Sequence, residues 1–312
     1  MTEPQENWER EALVEIATQG LIEQRRDRFW RNLFKILLSV YLLALLVGSW
    51  MLTLPLLEEN EDHIAVVKIN GEIGPGSDAS ADKINVALRK AFKAENSQAI
   101  LLRINSPGGS PVQSGRIYDE IQRLRKKHPE KPVYAVIDDL CASGGYYVAT
   151  AADKIYADKA SLIGSIGVRM DSFGFVGTLD KLGIERRTLT AGENKALLDP
   201  FAPANPEANV HLQGMLNEIH DQFITAVKEG RGDRLKETDD LFSGLIWTGQ
   251  QSVALGLIDE LSDVDAVSRE LMDDPMVLDY TLRPGWMEQV GRQLGASLGL
   301  AVTSTVEQPH FQ

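Results

Sequence analysis

The chain has 312 residues, of which 43% are hydrophobic and 25% charged, with a formal net charge of -13. That length holds one large domain or two ordinary ones with ample core, and the acidic balance argues against a nucleic-acid partner, which needs a basic face. A lone cysteine, Cys141, excludes an intramolecular disulfide, and the sequence has no solenoid-type repeat.

In chain order, residues 1–35 read as a polar lead-in with basic residues towards its end, and with amphipathic helical spacing in "NWEREALVEIATQGLIEQRRDRFWRNLF". Next comes "ILLSVYLLALLVGSWMLTLPLL", residues 36–57, 22 residues without a charge. At 1.5 Å per residue this run spans roughly 30 Å, one bilayer core, and predicts a transmembrane helix rather than a buried core helix. Pro55 stands near its far end, where a break is tolerated. Trp30 and Trp50 suit interfacial belts. Arg25, Arg26, Arg28, Arg31 and Lys35 precede the run, and Glu58, Glu59, Glu61 and Asp62 follow it. Positive residues stay inside, so the N-terminus is expected in the cytoplasm and everything after residue 57 beyond the membrane. The apolar core is longer than a signal peptide's, some 35 residues precede it, and no A-x-A site follows, which favours a retained signal-anchor.

Residues 58–282 form the expected outer domain. "HIAVVKINGEIG" predicts a strand ending at glycines, "KINVALRKAFKAE" a helix, and "SQAILLRINSPGGS" a buried strand running into a Gly-rich turn. "SGRIYDEIQRLRKKHPEK" predicts an amphipathic helix stopped near Pro129, followed by strand "PVYAVIDDL", helix "ASGGYYVATAAD" and short strand "KIYAD". Later come a long helix, "EANVHLQGMLNEIHDQFITAVKEGRG", and another over "TGQQSVALGLIDEL". Short apolar runs alternating with helical periods indicate an α/β domain with a largely parallel sheet. Residues 283–312 read as a Gly-containing, mildly amphipathic tail.

Two strand ends are candidates for chemistry, "NSPGGS" and "ASGGYY". Ligands of open parallel sheets bind beyond the carboxyl ends of strands. Glycines there permit close approach, and free N–H groups can hold an oxyanion. Ser143 in "ASGGYY" reads either as a nucleophile or as a helix cap. A nucleophile needs a base. None of His63, His128, His211, His220 and His310 lies in a Gly motif, and no HExxH zinc motif occurs. A lysine can substitute when desolvation favours its amine, but spacing alone selects none.

Five ordered blocks narrow the choice: "LLRINSPGGS", "ASGGYYVATAADKIYAD", "LIGSIGV", "DKLGIERRTLTAGENKALLDPF" and "GRGDRLKE…WTGQQSVALGLIDEL". From about residue 63 to 265 the chain resembles the signal peptide peptidase A (SppA) family of membrane-anchored serine proteases, in its short single-unit form. The resemblance implies a ClpP/crotonase-like α/β fold, preceded here by the single transmembrane helix, and no cofactor or metal. It implies Ser143 as nucleophile, Lys195 in "AGENKALLDPF" as general base and Ser165 in "GSIGV" as the hydroxyl orienting that lysine. Gly109 and Gly144 match positions whose N–H groups form the oxyanion hole. It further implies cleaved signal peptides and other apolar peptides as substrates, a homo-oligomeric ring, and sites shared between subunits in some members. The expected place is the inner (cytoplasmic) membrane with the protease domain outside.

One departure stands out: Leu245 in "FSGLIWTG" occupies a position where the family commonly has arginine. Cys141, two residues before Ser143, reads as a small buried residue rather than a thiol nucleophile. Two rival readings are a crotonase-type acyl-CoA enzyme, which the anchor and the Lys195 block oppose, and a non-catalytic membrane scaffold with a protease fold. A broader role in membrane-protein quality control fits the same chemistry.

Overall fold

The computed structural model describes residues 13–15, 25–48 and 61–282. It divides into two compact units, Met1–Glu61 and Asp62–Gln312. In the first, α1 (Arg25–Gly48) is 24 residues long, with a mean hydropathy of 1.6 in its most apolar window, and is long and apolar enough to cross a membrane. One continuous helix carries both the basic residues and the apolar run, because neither glycine nor proline interrupts 25–47. Most of the helix predicted upstream of Arg25, residues 49–57 of the expected span with Trp50 and Pro55, and the tail 283–312 lie outside the described residues.

The second unit is built on β1 (His63–Asn70), β2 (Ser97–Ser106) and β3 (Val133–Ala142), paired in parallel in the order β3-β2-β1. Their apolar runs are nearly unbroken because both faces are covered. Ala65, Val67 and Ile69 of β1 face the larger core, with Ile84 and Leu88 of α2 (Ala81–Lys93) and Ile117 and Ile121 of α3 (Pro111–Lys127). Ile64 and Val66 alternate onto the other face, against Val267 of a helix near the end of the unit, α8 (Val264–Leu271). Ser110 caps α3 by accepting the Gln113 N–H at 3.4 Å, with Pro111 in its first turn.

β3 forks. Its first half, from Tyr134 to Ile137, pairs with β4 (Lys154–Ala157), and its last residues, Leu140 to Ala142, pair with β5 (Leu162–Gly164). At the fork, Arg103 holds Asp138 at 2.8 Å, and the Ser161 hydroxyl donates to the Asp138 carbonyl. The sheet runs β6-β5-β3-β2-β1-β8, where β6 (Ile246–Thr248) is antiparallel to β5 and β8 (Val277–Asp279) is parallel to β1. The fork sets the carboxyl ends of β3 and β5 side by side.

The helix predicted over "ASGGYYVATAAD" is only six residues, α4 (Gly144–Ala149). The chain leaves it because the Asp153 carboxylate accepts the Val133 N–H at 2.8 Å and pairs with Arg125, turning the backbone into β4. The helix predicted over "TGQQSVALGLIDEL" ends early as α7 (Gly249–Leu255), and the sequence continues into β7 (Glu260–Leu261), which pairs with β4. Gly256 stops it at φ 74°, where an added Cβ would lie 1.8 Å from the Arg234 carbonyl oxygen. The long helix is α6 (Pro206–Arg231), as expected. Its last residue, Arg231, is 1% exposed; it donates to the Gly256 carbonyl at 2.7 Å and pairs with Asp259 at 2.8 Å. Asp259 also accepts the Ile155 N–H at 2.7 Å. Burial would raise its carboxyl, but the Arg231 hydrogen bond, the Ile155 amide and the arginine charges hold it below the ordinary aspartate range.

Candidate active site

Ser143 joins β3 to α4 with φ 51° and ψ -123°. Ser165, immediately after β5, also has φ 51°, and these two are the only non-glycine residues with positive φ among the described residues. Such conformations cost about 1–3 kcal/mol each and persist where surrounding structure over-determines them. Here the two strained serines belong to adjoining strand ends. The Ser143 N–H donates to the Gly164 carbonyl at 2.8 Å, the Ser165 N–H donates to the Leu245 carbonyl at 2.7 Å, and the Ser143 carbonyl accepts the Tyr147 N–H at 2.9 Å. The Ser143 side chain does not cap α4, although a cap was one reading of it. Partly exposed and free of hydrogen bonds among the described residues, its hydroxyl is available to a ligand.

The turn after β2 presses against this serine. Gly108 (φ 95°) and Gly109 (φ 146°) take conformations that side chains rarely adopt. A Cβ on Gly108 would lie 2.6 Å from the Gly144 nitrogen and 2.8 Å from the Ser143 Cβ. The turn is strapped to Ile73, whose N–H donates to the Gly108 carbonyl at 2.8 Å and whose carbonyl accepts the Ser110 N–H at 2.8 Å. A Cβ on Gly144 would lie 3.3 Å from the Gly109 nitrogen, so the two glycines adjoin. Among the described residues neither the Gly109 nor the Gly144 amide has an acceptor. Two unpaired N–H groups beside a free hydroxyl can stabilise charge developing on an acyl oxygen. The family resemblance singled out Gly109 and Gly144, which the structure sets side by side, but the strap from Ile73 has no sequence signature.

Lys195 is not joined to this cluster. It lies exposed in a turn, where its N–H donates to the Gly192 carbonyl at 3.2 Å, and no hydrogen bond or ion pair holds its ammonium among the described residues. The turn is part of an arm, residues 168–204, between β5 and α6. Its helix α5 (Val176–Leu182) buries no residue. Phe173 is 76% exposed and Leu189 wholly so. Among the described residues the arm's hydrogen bonds, ion pairs and ring contacts are local, among them Arg186 to Asp199 at 2.6 Å and Phe175 against Phe201 with ring centroids 5.5 Å apart.

Leu245 contributes its carbonyl to Ser165, a main-chain contact that any residue supplies, while its side chain is half exposed. Cys141 is fully buried between Ser106 and Ile163 in the sheet, and burial pushes its thiol well above the ordinary range, as its reading as a core residue requires. None of the described histidines is bonded to the Ser143 hydroxyl: His63 Nε2 lies 2.9 Å from the Tyr280 hydroxyl, and His220 Nε2 lies 3.0 Å from the Ile166 carbonyl oxygen. Among the described residues no group of three His, Cys, Asp or Glu side chains could hold a metal.

The forked, mostly parallel sheet, its covering helices and the serine at the end of β3 define a mixed α/β protein with a candidate nucleophile at a strand end. The model of Peptidase family S49 matches residues 125–277. The "Putative protease MJ0651" of Methanocaldococcus jannaschii is 32% identical over 290 residues, which cover 85% of this chain and 92% of that one. The chain belongs to peptidase family S49, a family of serine peptidases with serine/lysine catalysis. It is also 44% identical over 223 residues to the "Na(+)/H(+) antiporter NhaA" of Brucella abortus (strain 2308), covering 70% of this chain. The matched region is 30% of the antiporter's length, so the chain spans under a third of that relative. A solved lysine-to-alanine mutant of the 1510-N membrane-bound stomatin-specific protease, in complex with a substrate peptide, is 17% identical with a TM-score of 0.44, covering 75% of this chain and 98% of that one.

Proposed function

We propose that this chain is a membrane-anchored serine endopeptidase that degrades cleaved signal peptides and other apolar peptides. The single observation that carries the proposal is the strained Ser143, with a free hydroxyl, beside the unpaired amides of Gly109 and Gly144. In the proposed cycle the amine form of Lys195 takes the Ser143 proton, and Oγ attacks the peptide carbonyl carbon. The Gly109 and Gly144 amides receive the oxyanion, and Lys195, oriented by the Ser165 hydroxyl, protonates the leaving amine. Water then repeats the sequence on the acyl-enzyme and frees the serine. Residues 58–282 act as the protease domain, and the chain needs no cofactor.

In this proposal assembly brings Lys195 to Ser143. The arm that carries Lys195 presents Phe173, Leu189 and an unburied α5 to solvent, apolar surface suited to burial against another copy. A homo-oligomeric ring with sites shared between subunits fits that surface. Arg25, Arg26, Arg28, Arg31 and Lys35 at the start of α1, with acidic residues 58–62 beyond it, support a cytoplasmic N-terminus and an outer protease domain.

The deciding experiment mixes Ser143→Ala and Lys195→Ala chains in detergent micelles and follows cleavage of an apolar fluorogenic peptide. Each variant alone is expected to be inactive and the mixture to regain part of the wild-type rate. Full activity of Lys195→Ala alone would sink the mechanism, and an inactive mixture of co-assembled chains would confine each site to one subunit.

A further inference from the structure

We propose that His220 is a positioning residue for Ser143 and Ser165, fixing the strand end that joins them. The inference rests on the proposed catalytic role of Ser143. Among the described residues, three of the hydrogen bonds at the end of β5 hold the stretch where Ser165 adopts φ 51°. Two are between main-chain groups: Ser143 N–H to the Gly164 carbonyl at 2.8 Å and Ser165 N–H to the Leu245 carbonyl at 2.7 Å. The third is His220, which reaches from the middle of α6 to the Ile166 carbonyl at 3.0 Å. Of these three it is the one made by a side chain, and so the one that a substitution can remove.

Its location gives that bond leverage. Ile166 is fully buried, and beyond it the next main-chain hydrogen bond made by an N–H is that of Phe175, to the Pro200 carbonyl at 2.7 Å within the arm. His220 therefore holds a buried residue two positions past the end of β5, ahead of the arm that carries Lys195. Three residues on along α6, Phe223 packs against Tyr147 of α4 with ring centroids 5.1 Å apart. The same stretch of α6 thus touches both the helix that begins at Gly144 and the strand end that bears Ser165. A carbonyl oxygen can only accept, so His220 Nε2 carries the proton and donates. A glutamine amide keeps a donor of similar reach, whereas leucine keeps bulk and removes it.

The test uses the full chain in detergent micelles, comparing wild type with His220→Leu and His220→Gln. A biotinylated fluorophosphonate reports the rate of Ser143 acylation, and amide hydrogen exchange reports opening of residues 162–168. Losing one part-buried hydrogen bond is expected to slow acylation about three- to tenfold in His220→Leu and to speed exchange at 162–168, with His220→Gln restoring both toward wild type. In peptide cleavage the loss should fall on kcat, with KM unchanged. Wild-type acylation and exchange in His220→Leu would overturn the inference, as would a glutamine variant as slow as the leucine one. Faster exchange with unchanged acylation would leave a structural tie and overturn the positioning role. A wild-type chain unreactive at Ser143 overturns the catalytic reading itself, and this inference with it.

Discussion

Gly144→Ala tests the packing behind the proposed oxyanion hole. An added Cβ would sit 2.3 Å from the Ser114 Oγ, while its next neighbours, the Gly109 nitrogen at 3.3 Å and the Ser114 Cβ at 3.4 Å, are near ordinary contact. One atom therefore creates the clash. Ser114 lies fully buried on α3 with no partner for its hydroxyl among the described residues, so Oγ escapes only by turning about χ1 inside packed surroundings. Overpacking of this kind costs about 1–3 kcal/mol, and the short escape route puts Gly144→Ala near the lower half, about 1–2 kcal/mol. Ser114→Ala alone removes an unsatisfied buried hydroxyl and should be neutral or stabilising by up to about 1 kcal/mol. The double variant should recover close to wild-type stability, a coupling of about 1–2 kcal/mol. Urea unfolding of the full chain in micelles measures all four corners of the cycle, and fluorophosphonate labelling of Ser143 follows the site in parallel. Additive destabilisation in the double variant would refute the single-atom argument.

Further outcomes follow from the same geometry. Ser143→Gly relieves the positive φ that Ser143→Ala retains, so the glycine variant should be more stable than the alanine one by about 0.5–2 kcal/mol in urea, both being unreactive toward the phosphonate. Gly109→Ala would set a Cβ 2.1 Å from the Ile73 carbonyl oxygen at φ 146°, and should slow acylation by about 10²-fold or more as the turn shifts its amide. Asp259 is held below its unfolded value of about 3.9, so its pair with Arg231 stabilises fully above that pH and fades as pH falls through the lower folded value. Asp259→Asn should cost about 3 kcal/mol at pH 7 by leaving Arg231 buried and short of a partner, and the cost should shrink below about pH 4 in unfolding measurements.

The parts of the fold that the sequence disclosed are those with long periodic signals. β1, β2 and β3 read as continuous apolar runs because each is buried on both faces, and α3 and α6 carry clear amphipathic spacing and caps. The four-residue β4 was legible in "KIYAD", but the shortest elements were not. β5 and β6 are three residues each, and their pairing is decided by the fork in β3, a tertiary event with no local pattern. α4 was overestimated because Asp153, at its expected end, is claimed by Val133 and Arg125 from other elements. At the site, glycine doublets marked the turns, yet nothing local reveals that Gly108 must touch Ser143 or that Ile73 straps the turn. Lys195 came from resemblance alone, since an exposed lysine in a turn carries no signal of its own.

The fork in β3 also gives the site two halves of unequal permanence. Ser143 follows a ten-residue central strand flanked by β2 on one side and by β4 and β5 on the other, whereas Ser165 hangs from a three-residue strand whose outer neighbour is equally short. Local opening draws on the least bonded segments first. Warming should therefore loosen the Ser165 side while the central sheet is intact, so that loss of reactivity precedes loss of secondary structure and reverses on cooling. The chain would carry its own thermal fuse, set by the length of β5 rather than by the stability of the fold.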